Sequence, residues 1–332
     1  MFTKLWGDVH LNIKQIAEAA GVSPATVSNA LNGRKNVGEA TRQRILALCQ
    51  EMDYTDDNRR RRTVQGNRTI LFNFSDFDRQ FYLKIIQGIS DCVYANDYDL
   101  IISTSRSCER FMSRKITSGC IMLDMHCTDE LLENAADKDY PILAMDRELD
   151  HPFIKSLVVN NYAPMREMME ELVSRGYRTF AFLAGLDTTD TRERYLAFRH
   201  VLEKHNIPFN RKNYLLGDFR EHSGYKAAKL LMLSEDMPQV LVCANDHMAI
   251  GAMRAFRERG IHVPRDIAVT GFDGTNLASE LGLTTVDIPN YERGYLAAQQ
   301  LLALLHGSED YSTFKIAASV HMRESVLPHF SK

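Results

Sequence analysis

The sequence lacks several features that would narrow its function. It has no apolar run near the roughly 18 residues that a membrane-spanning helix needs, and its N-terminal segment has no apolar stretch long enough for a secretory signal. Its 6 cysteines are scattered through 332 residues without a Cys-x-x-Cys pair, which favours reduced, packed thiols over a disulfide framework. These absences predict a cytoplasmic protein with no membrane partner.

Motifs for catalysis are also missing. The 11 histidines are dispersed without His-Glu-x-x-His or His-Cys spacing, and there is neither a Walker A loop nor a Gly-x-Gly-x-x-Gly run. The sequence therefore predicts no enzyme, no metal site and no cofactor.

The net charge of −3 hides an uneven distribution. Residues 1–68 hold 11 Lys or Arg against 7 Asp or Glu, whereas the rest of the chain holds 29 against 36. Contacts with phosphates supply most of the non-specific affinity for nucleic acid, so such proteins carry their basic residues where they bind. The charge distribution predicts a nucleic-acid-binding head before an acidic body.

Two short helices are predicted within that head. Ile13, Ile16, Ala17 and Ala20 form one apolar helix face, and Gly21 supplies the turn that ends it. A second helix begins at the capping pair Ser23-Pro24 and ends at Asn32-Gly33. A third helix follows, with the candidate core residues Ile45, Leu46, Leu48, Cys49 and Met52. Two helices joined by a short glycine-containing turn can place the second helix in a major groove, although the spacing alone also allows a plain helical hairpin.

The residues of the head are more specific than their spacing. The runs IKQIAEAAGVSPATVSNALNG and NVGEATRQRI closely resemble the head of the lactose/galactose repressor (LacI-type) family. The resemblance implies that Pro24, Ala25 and Asn29 face bases and that Thr26 and Ser28 contact phosphates. Asn29 departs from the arginine common there, and because Asn pairs with adenine whereas Arg pairs with guanine, the preferred half-site should differ. The predicted DNA-binding residues are Ser23, Pro24, Ala25, Thr26, Ser28, Asn29, Asn32, Arg59, Arg60, Arg61 and Arg62.

The four arginines of that set lie in the hinge, where the resemblance fails. The family usually has a short apolar helix whose leucine enters the minor groove, whereas Thr63 or Val64 stands at that position here. Arginines could instead follow phosphates or enter a narrow minor groove, and the alternative is a solvated linker.

Beyond the hinge, the sequence predicts an α/β core of two doubly wound, parallel-sheet lobes. Short apolar runs alternate with amphipathic stretches from Thr69 onwards, and a second such series starts near Asn161. The predicted strands are TILFNF, YDLIIS, GCIMLD and PILAMD in the first lobe and TFAFLA, QVLVCA and DIAVTGFD in the second.

The core also resembles the LacI-type effector domain and hence the periplasmic sugar-binding proteins. The most similar runs are TRERYLAF, GDFREHSGY, the stretch from CANDHMAIGAM to DIAVTGFDG, LTTVDIP and VHMRES. The resemblance implies a sugar-like effector between the lobes, at the carboxyl ends of the strands. The implied contacts are Phe81, Tyr82, Asp146, Arg194, Phe219, Asn245 and Asp273.

The predicted organisation has three parts. The helix-turn-helix domain spans 12–58, the hinge 59–68 and the effector-binding domain 69–332, with lobe 1 at about 69–160 and 288–312 and lobe 2 at about 161–287 and 313–330. The resemblance further implies a homodimer that pairs first-lobe faces, including the helix after Phe81 and the stretch near Ile116.

The prediction is a transcription regulator, most simply a repressor, whose affinity for double-stranded operator DNA depends on a sugar or sugar derivative. Arg79, Arg106 and Arg147 raise the further hypothesis of an acidic sugar or sugar phosphate. Two alternatives stay open at this point: a sugar-binding module with impaired DNA binding, and a regulator that recruits a protein corepressor. Whether the ligand releases or promotes DNA binding is also open.

Overall fold

The computed structural model describes residues 13–31, 37–51, 68–75, 81–104, 108–113, 115–124 and 126–329. The chain divides into two compact units, a head up to Arg68 and a core from Thr69 onwards. Within the described residues, no helix is both long and apolar enough to span a bilayer. All six cysteines are buried thiols, as predicted.

The described part of the head consists of three helices, α1 (Ile13–Ala20), α2 (Pro24–Leu31) and α3 (Glu39–Glu51). Gly21 has a φ of 62°, a conformation that glycine adopts without steric cost, and the backbone N–H of Val22 donates to Ala17 O at 2.9 Å to close the turn. The predicted order of helices and turn is therefore confirmed. The buried apolar residues are Ile16, Ala17, Ala20, Val27, Ala30, Val37, Ile45 and Cys49.

One residue of the predicted head core is placed differently. Leu46 is 45% exposed, whereas Ile45 is fully buried, because α3 turns its 45 and 49 positions toward α1 and α2. Met52 lies outside the described residues.

The core contains two six-stranded sheets. The first has the order β11-β5-β4-β3-β1-β2 and is parallel throughout. Its strands are β1 (Thr69–Phe74), β2 (Asp99–Thr104), β3 (Gly119–Leu123), β4 (Ile142–Met145), β5 (Ile154–Val159) and β11 (Phe314–Ile316). Its helices are α4 (Phe81–Ala95), α5 (Cys108–Ser113), α6 (Asp129–Ala135) and α12 (Asn290–Leu305), the last packed on α4.

The second sheet has the order β12-β10-β9-β8-β6-β7 and is parallel except for β12. Its strands are β6 (Phe180–Ala184), β7 (Tyr214–Leu216), β8 (Val240–Cys243), β9 (Ala268–Asp273), β10 (Thr284–Asp287) and β12 (Ser319–His321). Its helices are α7 (Tyr162–Ser174), α8 (Thr189–Lys204), α9 (Glu221–Leu231), α10 (Asp246–Glu258) and α11 (Asn276–Glu280). The two doubly wound lobes expected from the sequence are thus present.

The chain passes from lobe 1 to lobe 2 for the last time at a later residue than predicted. Residues 313 to 316 were expected in lobe 2, but β11 pairs with β5, with Phe314 opposite Leu157 and Ile316 opposite Val159. These apolar side chains cover an edge of the first sheet that would otherwise be open. The chain therefore leaves lobe 1 for lobe 2 between Ile316 and Ser319.

Candidate functional site

A cavity of about 460 Å³ lies between the two sheets of the core. Its lining comes from the carboxyl ends of strands in both lobes, where open α/β folds bind ligands. We call it the cleft cavity. All seven predicted effector contacts line it: Phe81, Tyr82, Asp146, Arg194, Phe219, Asn245 and Asp273.

Arg194 is the most firmly held of these residues. It lies on α8, is 4% exposed, and donates from Nε to Asn161 Oδ1 at 2.9 Å and from Nη1 to the carbonyl of Ala244 at 2.6 Å. Its guanidinium carbon lies 3.7 Å from the centre of the Phe272 ring, and Nη1 lies 3.9 Å from Asp273 Oδ1. A buried cation fixed on several sides presents its remaining N–H groups to the cavity in a constant direction.

Three of the lining residues have unusual backbone conformations. Asp146, Phe219 and Asp273 have φ values of 59°, 67° and 118°, which non-glycine residues seldom adopt. The side chain of Asn245 donates from Nδ2 to the carbonyl of Phe219 at 3.0 Å and accepts the N–H of Met248 at 3.0 Å. Backbone strain of this kind persists only where the surroundings enforce it, and it clusters at binding sites.

The first-lobe wall combines two aromatic rings with a carboxylate. The rings of Phe81 and Tyr82 have their centres 4.3 Å apart at the start of α4, and Tyr82 packs on Phe74. Asp146 forms an ion pair with Arg293, which is 2% exposed and was not foreseen from the sequence. Arg293 lies in the first turn of α12, where its neighbours read as an ordinary amphipathic helix, so no local signal marked it.

Asp190 is a second lining residue that the sequence did not single out. It lies in the first turn of α8, with its side chain about a quarter exposed, and accepts an N–H from Asn161 Nδ2 at 3.0 Å. Burial, together with the nearby Asp146 carboxylate, raises the pKa of Asp190 to about 7. The TRERYLAF run begins at Thr191, directly after Asp190, and that closeness was the hint in the sequence.

The arginines at the cavity rim are already engaged. Arg147 donates to the carbonyl of Cys127 at 2.6 Å, to Asp129 at 2.9 Å and to the carbonyl of Asp124. Arg192 pairs with Asp187 through two hydrogen bonds of 2.7 and 2.9 Å. Arg79 and Arg106 lie outside the described residues.

The head presents its predicted contacts on the outer side of α2. Ser23, Pro24 and Ala25 are exposed, and Thr26, Ser28 and Asn29 are partly exposed. Val27 and Ala30 of the same helix are buried. Ser23 Oγ accepts the N–H of Thr26 at 3.1 Å and so caps α2. Asn32 and Arg59, Arg60, Arg61 and Arg62 lie outside the described residues, as does the hinge up to residue 67.

Two parts of this chain match known protein families. Residues 12–57 match the bacterial regulatory proteins of the lacI family, and residues 169–326 match the periplasmic binding protein-like domain. The two matches fall on the head and on the core, respectively.

Individual proteins are similar over both parts. The probable HTH-type transcriptional repressor ExuR of Bacillus subtilis is 28% identical over 312 residues, which cover 90% of this chain and 93% of that protein. The structure of the transcriptional regulator CelR in complex with cellobiose has a TM-score of 0.70 at 25% identity. The match covers 95% of this chain and 99% of the CelR chain. The lac repressor dimer bound to operator and the anti-inducer ONPF has a TM-score of 0.70 at 26% identity, with 96% and 99% covered.

Proposed function

Because the chain belongs to the LacI family of bacterial transcription regulators, we propose that it is a cytoplasmic repressor whose head binds operator DNA under the control of a neutral sugar in the cleft cavity. The observation that carries the proposal is the composition of that cavity. Side chains from both lobes meet there, so a ligand that contacts all of them favours one arrangement of the lobes over others.

The charges of the cavity support a neutral ligand. Deep in the site, Arg194 and Arg293 face the three carboxylates Asp146, Asp190 and Asp273. Each of these guanidinium groups already contacts a carboxylate or a carbonyl, so an added anion would meet more negative than positive charge. Sugar hydroxyls can donate to the carboxylates and accept from the guanidinium groups. Three N–H donors of Arg147 bind groups of lobe 1, and its nearby carboxylate Asp129 also lines the cavity, so this residue gives the acidic-sugar hypothesis less support than a free arginine would.

The shape of the cavity supports a sugar ring. Its volume lies within the range of about 300–1,000 Å³ that is usual for small-molecule sites. Phe81 and Tyr82 contribute aromatic surface from lobe 1, and Phe219 contributes it from lobe 2. Aromatic faces pack on the apolar faces of sugar rings while the polar side chains take the hydroxyls.

A panel of ligands tests the effector. We expect cellobiose, D-glucose, D-galactose or D-ribose to raise the melting temperature, and D-glucuronate and glucose 6-phosphate not to do so at pH 7.5. Saturation at 100 times Kd stabilises a protein by about 2.7 kcal/mol, which a thermal-shift assay detects. Stabilisation by the anionic compounds alone would contradict the neutral-sugar proposal.

A salt-titrated mobility shift tests DNA binding on a duplex selected from a random library. We expect sequence-specific binding that weakens steeply with salt, because phosphate contacts release counterions. Ala25→Asp should abolish binding while the head stays folded, since an acidic residue suits the first turn of α2 but repels phosphates. Ala25→Ser is the matched control. An affinity that depends on neither the DNA sequence nor the salt concentration would contradict the regulator proposal.

We also propose that the protein is a homodimer that pairs first-lobe faces. Leu83 and Tyr94 on α4 are 64% and 59% exposed, and Ile102 and Ile116 are each 41% exposed. Large apolar side chains that are this exposed favour self-association. We expect Leu83→Glu to convert a dimer into a monomer in sedimentation experiments. Leu233→Glu is the control, because Leu233 is 82% exposed on lobe 2 and should not affect assembly.

A further inference from the structure

Asp246 is a buried carboxylate directly behind the wall of the cleft cavity. It is the first residue of α10, is fully buried, and does not line the cavity. The residue before it, Asn245, lines the cavity and caps the same helix. Asp246 thus follows a predicted contact residue in sequence without facing the ligand.

The two carboxylate oxygens of Asp246 contact two different parts of the second sheet, the loop after β9 and the interior of β10. Oδ2 accepts the backbone N–H of Thr275 at 2.7 Å, just after β9, and Oδ1 accepts the hydroxyl of Thr285 on β10 at 2.5 Å. The backbone of β9 leaves room for it, since a Cβ added to Gly271 would lie 2.2 Å from Asp246 Oδ1. The carboxylate therefore joins α10 to the loop that follows β9.

That loop carries a residue of the cavity wall in a strained conformation. Asp273 has a φ of 118°, and Gly274 follows it with a φ of 67°. Thr275 then caps α11 by accepting the N–H of Ala278 at 3.2 Å. Because a residue in this backbone region returns to a more favourable one unless it is restrained, the contacts beside Asp273 decide where its carboxylate points.

We propose that Asp246 is a positioning residue for effector recognition, which holds the loop at 273–275 so that the Asp273 side chain faces the ligand. The inference rests on the proposed function for its ligand, but the restraint on the loop can be measured without any ligand. A carboxylate suits the task because it accepts from two donors at once.

An asparagine at this position should preserve the restraint. Its amide oxygen can accept from Thr275, and its amide nitrogen can donate to the Thr285 hydroxyl. That hydroxyl already lies 3.3 Å from the carbonyl of Val286 and can turn to donate there instead. An alanine, in contrast, leaves the buried N–H of Thr275 without an acceptor and leaves the Thr285 hydroxyl only the carbonyl of Val286.

The first measurement is amide hydrogen exchange of peptides that span residues 272–283, in the full-length protein without ligand. We expect Asp246→Ala to increase exchange there at least about tenfold, which reports an opening of the loop. Asp246→Asn should stay within about threefold of the wild type, since one acceptor is kept. Thr285→Val, which removes one donor, should fall between the two and does not depend on the alanine variant folding.

The second measurement is the dissociation constant for cellobiose, beside the affinity for the selected operator duplex. We expect Asp246→Ala to weaken cellobiose binding at least about tenfold and to leave operator affinity unchanged when no sugar is present, because the change is confined to one wall of the cavity. A general loss of structure would lower both affinities together.

Thr284→Val is the matched control for Thr285→Val. Thr284 is as deeply buried and one position earlier on β10, but its hydroxyl bonds with Arg323 on the other side of the strand. We expect no change in loop exchange or in cellobiose affinity. The proposal is overturned if Asp246→Ala leaves exchange at 272–283 unchanged, or if Thr284→Val changes it as much as Thr285→Val does. If the wild type binds no sugar of the panel, the proposed function fails, whereas the exchange result still decides whether Asp246 restrains the loop.

Discussion

The two walls of the cleft cavity are built in different ways. In lobe 2, Arg194 and Asn245 are each held by buried hydrogen bonds, and Asp273, in a strained backbone conformation, lies 3.9 Å from Arg194. In lobe 1, the wall includes the Phe81 and Tyr82 rings, Asp146 with its ion pair to Arg293 of α12, and Arg147, which donates to Cys127 and Asp129 at the rim. The comparison indicates that buried hydrogen bonds fix the polar side chains of the second-lobe wall, whereas in the first-lobe wall Asp146 is held by its ion pair with Arg293.

The largest effect is expected from Arg194→Ala, which breaks the network of lobe 2. Removing one partner of a buried charge network costs about 3–5 kcal/mol, because the groups left behind have no compensation. We expect this loss in urea denaturation, together with loss of the thermal response to cellobiose. The control is Arg192→Ala on the same helix, whose exposed pair with Asp187 should leave the unfolding midpoint unchanged.

A smaller effect is expected from Asp146→Ala, which breaks the ion pair of lobe 1. It leaves Arg293 buried without its carboxylate, but the Asp146 side chain is about a quarter exposed, so we expect a loss of about 2 kcal/mol in urea denaturation. Asp129→Ala removes a more exposed partner of Arg147 and serves as the control. A loss equal to that of Arg194→Ala would remove the distinction between the walls.

The smallest effect is a change in pH dependence from Asp190→Asn. The pKa of Asp190 is about 7 in the folded protein, above the value of about 3.9 in an unfolded chain. The folded state therefore binds more protons between these values, and stability falls as the pH rises from about 4 to about 7.

Asp190→Asn should remove this contribution and so raise stability more at pH 7.5 than at pH 4.5. Urea midpoints measured from pH 4.5 to 7.5 check the slope. Burial also raises the pKa of Asp246 to about 7, so the slope should decrease in the variant without vanishing. An unchanged slope would show that Asp190 contributes nothing to the pH dependence of stability. The second-lobe wall would then not differ from the first in this respect.

Lining residues that follow strands can be located from the sequence pattern, whereas those on helices, Phe81, Tyr82 and Arg194, were implied by the family resemblance. Asp146, Asn245 and Asp273 each follow or end an apolar run, and parallel strands bring their carboxyl ends together, so their meeting could be predicted. Arg293 and Asp190 could not be found in this way, because each lies in the first turn of a helix whose direction depends on tertiary packing.

The short strands were harder to predict for a related reason. β11 has three residues, and its partner β5 precedes it by more than 150 positions in the chain, so no local pattern indicates their pairing. The boundary of lobe 1 was therefore set too early. In the head, by contrast, residue spacing and capping are local signals, and the three helices lie where the sequence placed them.

The late position of β11 has a consequence for the order of folding during synthesis. Domains generally fold as units while the chain emerges from the N-terminus. Here the first lobe is begun by β1 but closed only by α12 and by Phe314 to Ile316, after nearly all of the second lobe has been made. Until then β5 keeps an unpaired edge, the kind of edge that recruits other strands. A ribosome-bound chain that stops before Ile316 should therefore need a chaperone more than the finished protein does.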